Sequence, residues 1–147
     1  MNKVLRDWQF YLCLVLGPVS WWLISFAQPV RGDLGMPDFG ISQAPWYQLA
    51  LIILIYPILE EIVFRGLLLE FLTKRIRYRV SLLTAANVLT SLVFVMAHLI
   101  YSEWVWALLI FFPSLVFGYM KERHQSLIAP IMLHSFYNLG FVWLFSA

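Results

Sequence analysis

Two adjacent glutamates and one arginine lie in the middle of an apolar run of the sequence. Glu60, Glu61 and Arg65 are surrounded by Leu, Ile, Val and Phe residues between positions 51 and 69. An ionised side chain at the centre of a bilayer costs about 3 kcal/mol on insertion scales, so charged residues in membrane segments usually serve a function. These three residues therefore mark a candidate buried polar site.

Helical spacing separates the roles of the three charges. Glu61 and Arg65 are four residues apart and share a helix face, so they can form an ion pair that supports the site. Glu60 is turned about 100° away from Glu61, because an α-helix has about 3.6 residues per turn. A purely structural ion-pair cluster is the alternative, but it leaves Glu60 without a partner. The spacing therefore favours Glu60 as a catalytic residue.

Two later apolar segments supply further polar groups. One carries a row of polar residues at three- and four-residue steps, which consists of Thr84, Asn87, Ser91 and His98. We expect this face to point at protein rather than lipid. The other carries His134 and Asn138, again four residues apart, which can present hydrogen-bond donors in one direction.

Two chemistries fit these groups. In one, Glu60 is a general base and His98 orients a water that attacks an amide carbonyl, while His134 and Asn138 stabilise the oxyanion. In the other, Glu60, His98 and His134 bind zinc, as sites with two histidines and one glutamate do. The HExxH pattern of many zinc proteases is absent from the sequence.

The composition indicates a membrane protein. Of the 147 residues, 62% are apolar and 12% charged, whereas a soluble domain has about 25% charged residues. Five apolar segments approach the roughly 20 residues that cross a bilayer; they are 8–27, 45–72, 80–100, 104–120 and 127–145. The sequence therefore predicts an all-α fold, a polytopic bundle of about five transmembrane helices, in one domain spanning residues 1–147. The Pro- and Gly-rich linker 28–44 is predicted to be a loop long enough to serve as a lid.

The positions of lysine and arginine predict the topology. If the N-terminus is cytoplasmic, eight of the ten Lys and Arg residues fall in cytoplasmic segments. The first apolar segment resembles a signal peptide, but its length favours an uncleaved helix. At about 1.5 Å per helical residue, this topology places Glu60 near mid-membrane, His98 toward the outer face and His134 toward the inner face.

The order of the motifs resembles that of a known family, the CPBP (Abi) intramembrane proteases, which include the type II CAAX prenyl endopeptidases of the Ras-converting type. The resemblance rests on Glu60-Glu61-xxx-Arg65, Phe94-xxx-His98 and His134-xxx-Asn138. It extends over about residues 56–139 and implies a helical membrane core that hydrolyses peptide bonds. It also implies that Glu60 and His98 activate water and that His134 and Asn138 form the oxyanion side.

The implied mechanism is glutamic and uses no cofactor, with zinc as the alternative. The implied substrate is a membrane-anchored or lipidated protein cleaved near its C-terminal tail. The chain is short for this family. In its length it is similar to small bacterial members that are linked to the processing of C-terminal sorting tails. We therefore expect a bacterial inner-membrane protein whose partners are a membrane-anchored peptide or protein and the lipid bilayer, with no nucleic acid. The alternative from another class is a non-catalytic scaffold or a proton-path protein.

Overall fold

A computed structural model describes residues 3–26, 44–100, 102 and 104–146 of the chain. Its elements are α1 (Trp8–Phe26), α2 (residues 46–73), β1 (Arg79–Val80), β2 (Leu83–Thr84), α3 (Ala85–His98), α4 (Trp104–Leu109), α5 (Phe111–His124) and α6 (Ile128–Ser146). The predicted all-α class is confirmed, with one short hairpin added to it. The predicted lid in the linker lies outside the described residues, apart from Ala44.

Helix α2 is continuous but contains two π-helical stretches. Its α-helical parts Trp46–Ala50, Tyr56–Glu61 and Glu70–Thr73 alternate with the π-helical parts Leu51–Ile55 and Ile62–Leu69. Pro57 accounts for the first stretch, because proline has no N–H to donate and its ring clashes with the carbonyl four residues earlier. The 28 residues of α2 reach about 42 Å at 1.5 Å per residue, which exceeds the roughly 30 Å hydrocarbon core of a bilayer.

The third apolar segment becomes helical later than predicted. Its first residues belong to an antiparallel hairpin in which Val80 pairs with Leu83. Helix α3 then begins after Thr84, whose hydroxyl accepts a hydrogen bond from the Asn87 N–H at 3.0 Å. Its 14 residues reach only about 21 Å.

Helix α6 packs against both α1 and α5. The Tyr137 hydroxyl donates to the Cys13 carbonyl at 2.6 Å and so ties α6 to α1. Further along the same contact the Trp21 indole lies directly over Gly140, where a β-carbon would collide with it. These contacts pack α1 against the bundle, and the expectation that it is not cleaved stays a prediction.

A break near Pro113 divides the fourth apolar segment into α4 and α5, again because proline cannot continue the ladder of helical hydrogen bonds. Taken together, Trp104–His124 is the one stretch of the described residues that is long and apolar enough to cross a membrane by its length and composition. The prediction of about five transmembrane helices is therefore not confirmed. One physical reason is that α3, with 14 residues, is too short to cross a hydrocarbon core of about 30 Å.

The described part of the chain has polar residues inside and large apolar residues outside. Arg65, Glu61 and Asn87 are fully buried, whereas Trp46, Leu67 and Ile100 are exposed. In water, so much exposed apolar surface would promote association. This distribution suits a helical protein whose exterior faces lipid.

Candidate functional site

The Glu61–Arg65 pair lies at the centre of the site. The Arg65 Nη1 donates to Glu61 Oε1 at 2.9 Å, and both side chains are fully buried. The Arg65 Nη2 donates to the Ser114 hydroxyl at 2.6 Å and to the Ser114 carbonyl at 2.9 Å, which links α2 to α5. The i,i+4 pair predicted from the sequence is therefore present.

Two aromatic rings complete the surroundings of the Arg65 guanidinium. It lies 4.7 Å from the centroid of Phe94 and 5.5 Å from that of Phe117. A ring face attracts a cation, and the attraction is stronger where water is excluded. The sequence analysis did not identify Ser114 and Phe117 as partners of Arg65. The contact of Ser114 with Arg65 depends on how α5 meets α2, which spacing along the sequence does not determine.

His134 on α6 joins the two glutamates. Its Nδ1 lies 2.8 Å from Glu61 Oε1, and its Nε2 lies 3.5 Å from Glu60 Oε2. The ring also stacks on Phe117, with the two centroids 4.7 Å apart. Glu61 Oε1 accepts from Arg65 and lies within hydrogen-bond distance of Nδ1, so the geometry assigns Nδ1 as a donor to Glu61. This bond fixes the ring orientation and aims Nε2 at Glu60.

Glu60 and Glu61 are neighbours in the sequence but differ in exposure. The Glu61 side chain is fully enclosed, whereas the Glu60 side chain is 31% exposed. The Glu60 carboxylate can therefore meet a molecule that enters from outside the bundle. Glu60 also faces another helix, since its carboxylate lies opposite His134 on α6.

His98 lies near this group on the last turn of α3. Its ring is 4.3 Å from the Phe94 centroid, and Phe94 in turn lies 6.1 Å from His134. The His98 Nδ1 donates to the Phe94 carbonyl at 2.9 Å, which leaves Nε2 as an acceptor. Within the described residues no direct hydrogen bond joins His98 to Glu60, so the two can cooperate only through an intervening molecule.

Asn138 donates a hydrogen bond to a carbonyl of α2 that receives no backbone N–H from Tyr56 or Pro57. The Tyr56 N–H donates to Leu51, as in a π-helix, so it does not reach the Ile52 carbonyl. The next candidate donor, Pro57, has no N–H. The Asn138 Nδ2 donates to this Ile52 carbonyl at 2.9 Å. One N–H bond of the amide is thus used for helix contact, and the oxyanion role of Asn138 stays a prediction.

The zinc alternative requires three donors arranged around one ion. No group of three or more His, Cys, Asp or Glu side chains in the described part of the chain is arranged to hold a metal ion. Each nitrogen of His134 faces a different carboxylate. Of this alternative set, Glu60 and His134 approach within 3.5 Å, whereas the Nδ1 of His98 donates to the Phe94 carbonyl. The zinc alternative stays a prediction.

These features define a class of protein, which is helical, has an apolar exterior and contains a buried glutamate–histidine–arginine network. One carboxylate of this network, that of Glu60, is partly exposed. Residues 42–140 match the family described as type II CAAX prenyl endopeptidase Rce1-like. The match covers more than half of the chain, so the chain belongs to this family of membrane-embedded proteases. The predicted CAAX-protease relationship is confirmed. No curated protein and no solved structure matches the chain.

Proposed function

We propose that this protein is an intramembrane endopeptidase that cleaves a membrane-anchored or lipidated protein near its C-terminal tail. Membership of a protease family supports the hydrolysis of a peptide bond. The observation that carries the proposal is the unequal environment of Glu60 and Glu61. One carboxylate is sealed in an ion pair, and the other is accessible and faces an oriented imidazole.

In the proposed reaction Glu60 is the general base. It takes a proton from a water, whose oxygen attacks the carbonyl carbon of the scissile bond. The same water donates its second hydrogen to Nε2 of His98, which is free because Nδ1 is bonded to the Phe94 carbonyl. Glu60 then passes its proton to the leaving amine, which balances the hydrolysis.

The oxyanion needs donors that are already in place when negative charge develops. The second N–H of Asn138 supplies one, and its first N–H anchors the amide to α2. The Nε2 of His134 supplies another when the imidazole carries both protons, with its Nδ1–H held by Glu61. Glu61 and Arg65 act as positioning residues, because neither can reach a substrate from its enclosed position.

The proposed setting is a bacterial inner membrane with a cytoplasmic N-terminus. The distribution of Lys and Arg supports this orientation. The proposed reaction uses no metal; a zinc-dependent reaction through Glu60, His98 and His134 is the alternative.

The proposal can be tested in cells that produce either the wild-type protein or Glu60→Gln at equal level. Mass spectrometry of the C-termini of membrane proteins should find tails that are shortened only with the wild type. Each candidate is then incubated with the purified protein in vesicles, as a lipidated peptide and as a peptide with a membrane anchor. Identical C-termini in the two strains would contradict the proposed function.

A further inference from the structure

A shallow, open cavity of about 510 Å³ lies away from the glutamate site, where the N-terminal turn meets the end of α5. The cavity is lined by Lys3, Arg6, Asp7, Trp8, Arg123 and His124. None of these residues takes part in the proposed hydrolysis.

The cavity carries an excess of positive charge. Asp7 is its one carboxylate, and Arg123 already donates to both oxygens of that group, to Oδ1 at 3.2 Å. The hydrogen bond from Arg123 also holds the pKa of Asp7 below its ordinary value, so this carboxylate stays ionised. Lys3 and Arg6 are exposed and form no ion pair within the described residues. Two cations therefore remain available to a ligand.

A second cavity of about 270 Å³ continues this positive surface. It shares Arg123 with the first cavity and adds Arg79 from the hairpin. Glu122, the acidic residue of this cavity, accepts a hydrogen bond from Thr84 at 2.6 Å. The basic surface thus continues from the N-terminal turn to the hairpin.

An apolar stripe leads away from the cavity along α1. Trp8 is 68% exposed at the cavity edge, and Leu12, Val15 and Val19 follow at three- and four-residue steps, all exposed. Tryptophan favours the boundary between headgroups and hydrocarbon. A ligand with an anionic head and apolar tails would contact the cations and the stripe at the same time.

We propose that this cavity binds the phosphate headgroup of an anionic phospholipid, with Lys3 and Arg6 on the phosphate and the acyl chains along the α1 stripe. Arg123 is already hydrogen-bonded to Asp7 and lines the cavity beside Lys3 and Arg6. Basic pockets at the cytoplasmic ends of membrane helices favour such headgroups. A soluble anion would gain nothing from the apolar stripe, which is why the observations favour a lipid.

The test uses the full-length protein in vesicles of equimolar phosphatidylglycerol and phosphatidylcholine, followed by native mass spectrometry of the lipids it retains. The pocket variant is Lys3→Gln with Arg6→Gln. The matched control is Lys74→Gln with Arg77→Gln, which removes the same charges from exposed positions that line neither cavity. The wild type and the control should retain phosphatidylglycerol in preference to phosphatidylcholine. The pocket variant should retain at least about five-fold less phosphatidylglycerol than the wild type.

Three outcomes would overturn the proposal. They are equal retention of the two lipids by the wild type, equal loss in the pocket variant and the control, and release of the lipid by inorganic phosphate at millimolar concentration. The third would assign the cavity to a soluble anion. Thermal unfolding in phosphatidylcholine alone checks that the pocket variant is folded. If it is not, the wild-type preference and its response to phosphate decide the question.

Discussion

Glu60 and Glu61 have the same chemistry, but the structure gives them different environments. Arg65 and His134 both contact one oxygen of Glu61, so removing its charge affects two partners at once. Glu60 has one ion-pair partner among the described residues, the His134 Nε2 at 3.5 Å, and is partly exposed. The two residues should therefore respond differently to the same substitution.

Glu61→Gln should mainly lower stability, because it leaves the buried Arg65 without its counter-charge. Breaking a buried ion pair costs about 3–5 kcal/mol. Glu60→Gln should abolish proteolysis without a loss of stability. Cleavage rates per folded molecule and unfolding in a denaturing detergent would measure the two effects separately. Wild-type activity in Glu60→Gln would refute its assignment as the base.

Removal of metal should leave activity unchanged. Glu60 and His98 are proposed to activate water without a Lewis acid, so dialysis against a strong chelator should preserve the cleavage rate. Elemental analysis should find no stoichiometric zinc. If activity is lost and returns specifically with zinc, the metal-dependent alternative is correct.

At the scale of elements, the irregular helix α2 determines where the site residues point. Its two π-helical stretches lie on either side of the segment Tyr56–Glu61 that carries both glutamates. Each π turn changes the rotation of the residues that follow it, and such turns are frequent at functional sites. The hydrogen bond from Asn138 to Ile52 stabilises the first of them.

Asn138→Leu should lower both stability and rate. It leaves the Ile52 carbonyl without a partner, at a cost of about 1–3 kcal/mol, and it removes an oxyanion donor, which typically lowers kcat by about 10²–10³. Pro57→Ala supplies an N–H near the same carbonyl. In that background Asn138→Leu should cost less stability, but the loss of kcat should persist. Full specific activity of Asn138→Leu would limit this residue to a structural role.

A notch at Gly118 lets α3 approach α5 closely. The Asn87 side chain fills this notch, where a β-carbon would collide with it, and donates to the Leu115 carbonyl at 3.0 Å. The missing side chain at Gly118 therefore allows the two helices to pack closely. Ser114, in addition, binds Arg65.

Gly118→Ala should destabilise the protein, since an overpacked contact costs about 1–3 kcal/mol. Gly66→Ala is the matched control in α2. Its β-carbon would lie 3.4 Å from Leu127, an ordinary contact, and replacing a helical glycine gains up to about 1 kcal/mol. Detergent unfolding of the two variants compares them directly. Equal stability would mean that the notch does not control the packing of α3.

At the scale of the whole molecule, Asp7 connects the start of the chain to the end of α5. Arg123 donates to its carboxylate, and the His124 Nε2 lies 3.1 Å from Oδ2 without hydrogen-bonding geometry. A backbone N–H from Gln9 also reaches Asp7 at 3.1 Å. This contact holds α1 against the remainder of the bundle at the end opposite to Trp21 and Gly140.

The contribution of Asp7 should depend on pH. Arg123 lowers the pKa of Asp7 in the folded state below its ordinary value of 3.8. The stabilisation is therefore present above that pH and is lost as the pH falls through the folded pKa. Asp7→Asn should lower Tm at neutral pH, and the two proteins should converge in acid. Parallel Tm curves at every pH would show that the ionised carboxylate is not the cause.

Local spacing in the sequence was enough to predict several features. Glu61 and Arg65 form an ion pair because residues four apart in a helix are always neighbours, whatever surrounds them. The polar face of α3 is buried for a similar reason, since its spacing puts Asn87 and Ser91 on one side of the helix. Composition alone indicated the apolar exterior and the all-α class.

Contacts between helices could not be predicted in this way. The topology placed His134 toward the inner face and Glu60 near mid-membrane, yet their side chains meet at 3.5 Å. The sequence spacing fixes the angles around one helix, but not how far one helix is shifted along another. That shift depends on close contacts such as Trp21 on Gly140 and on the irregular turns of α2, which only the tertiary structure determines.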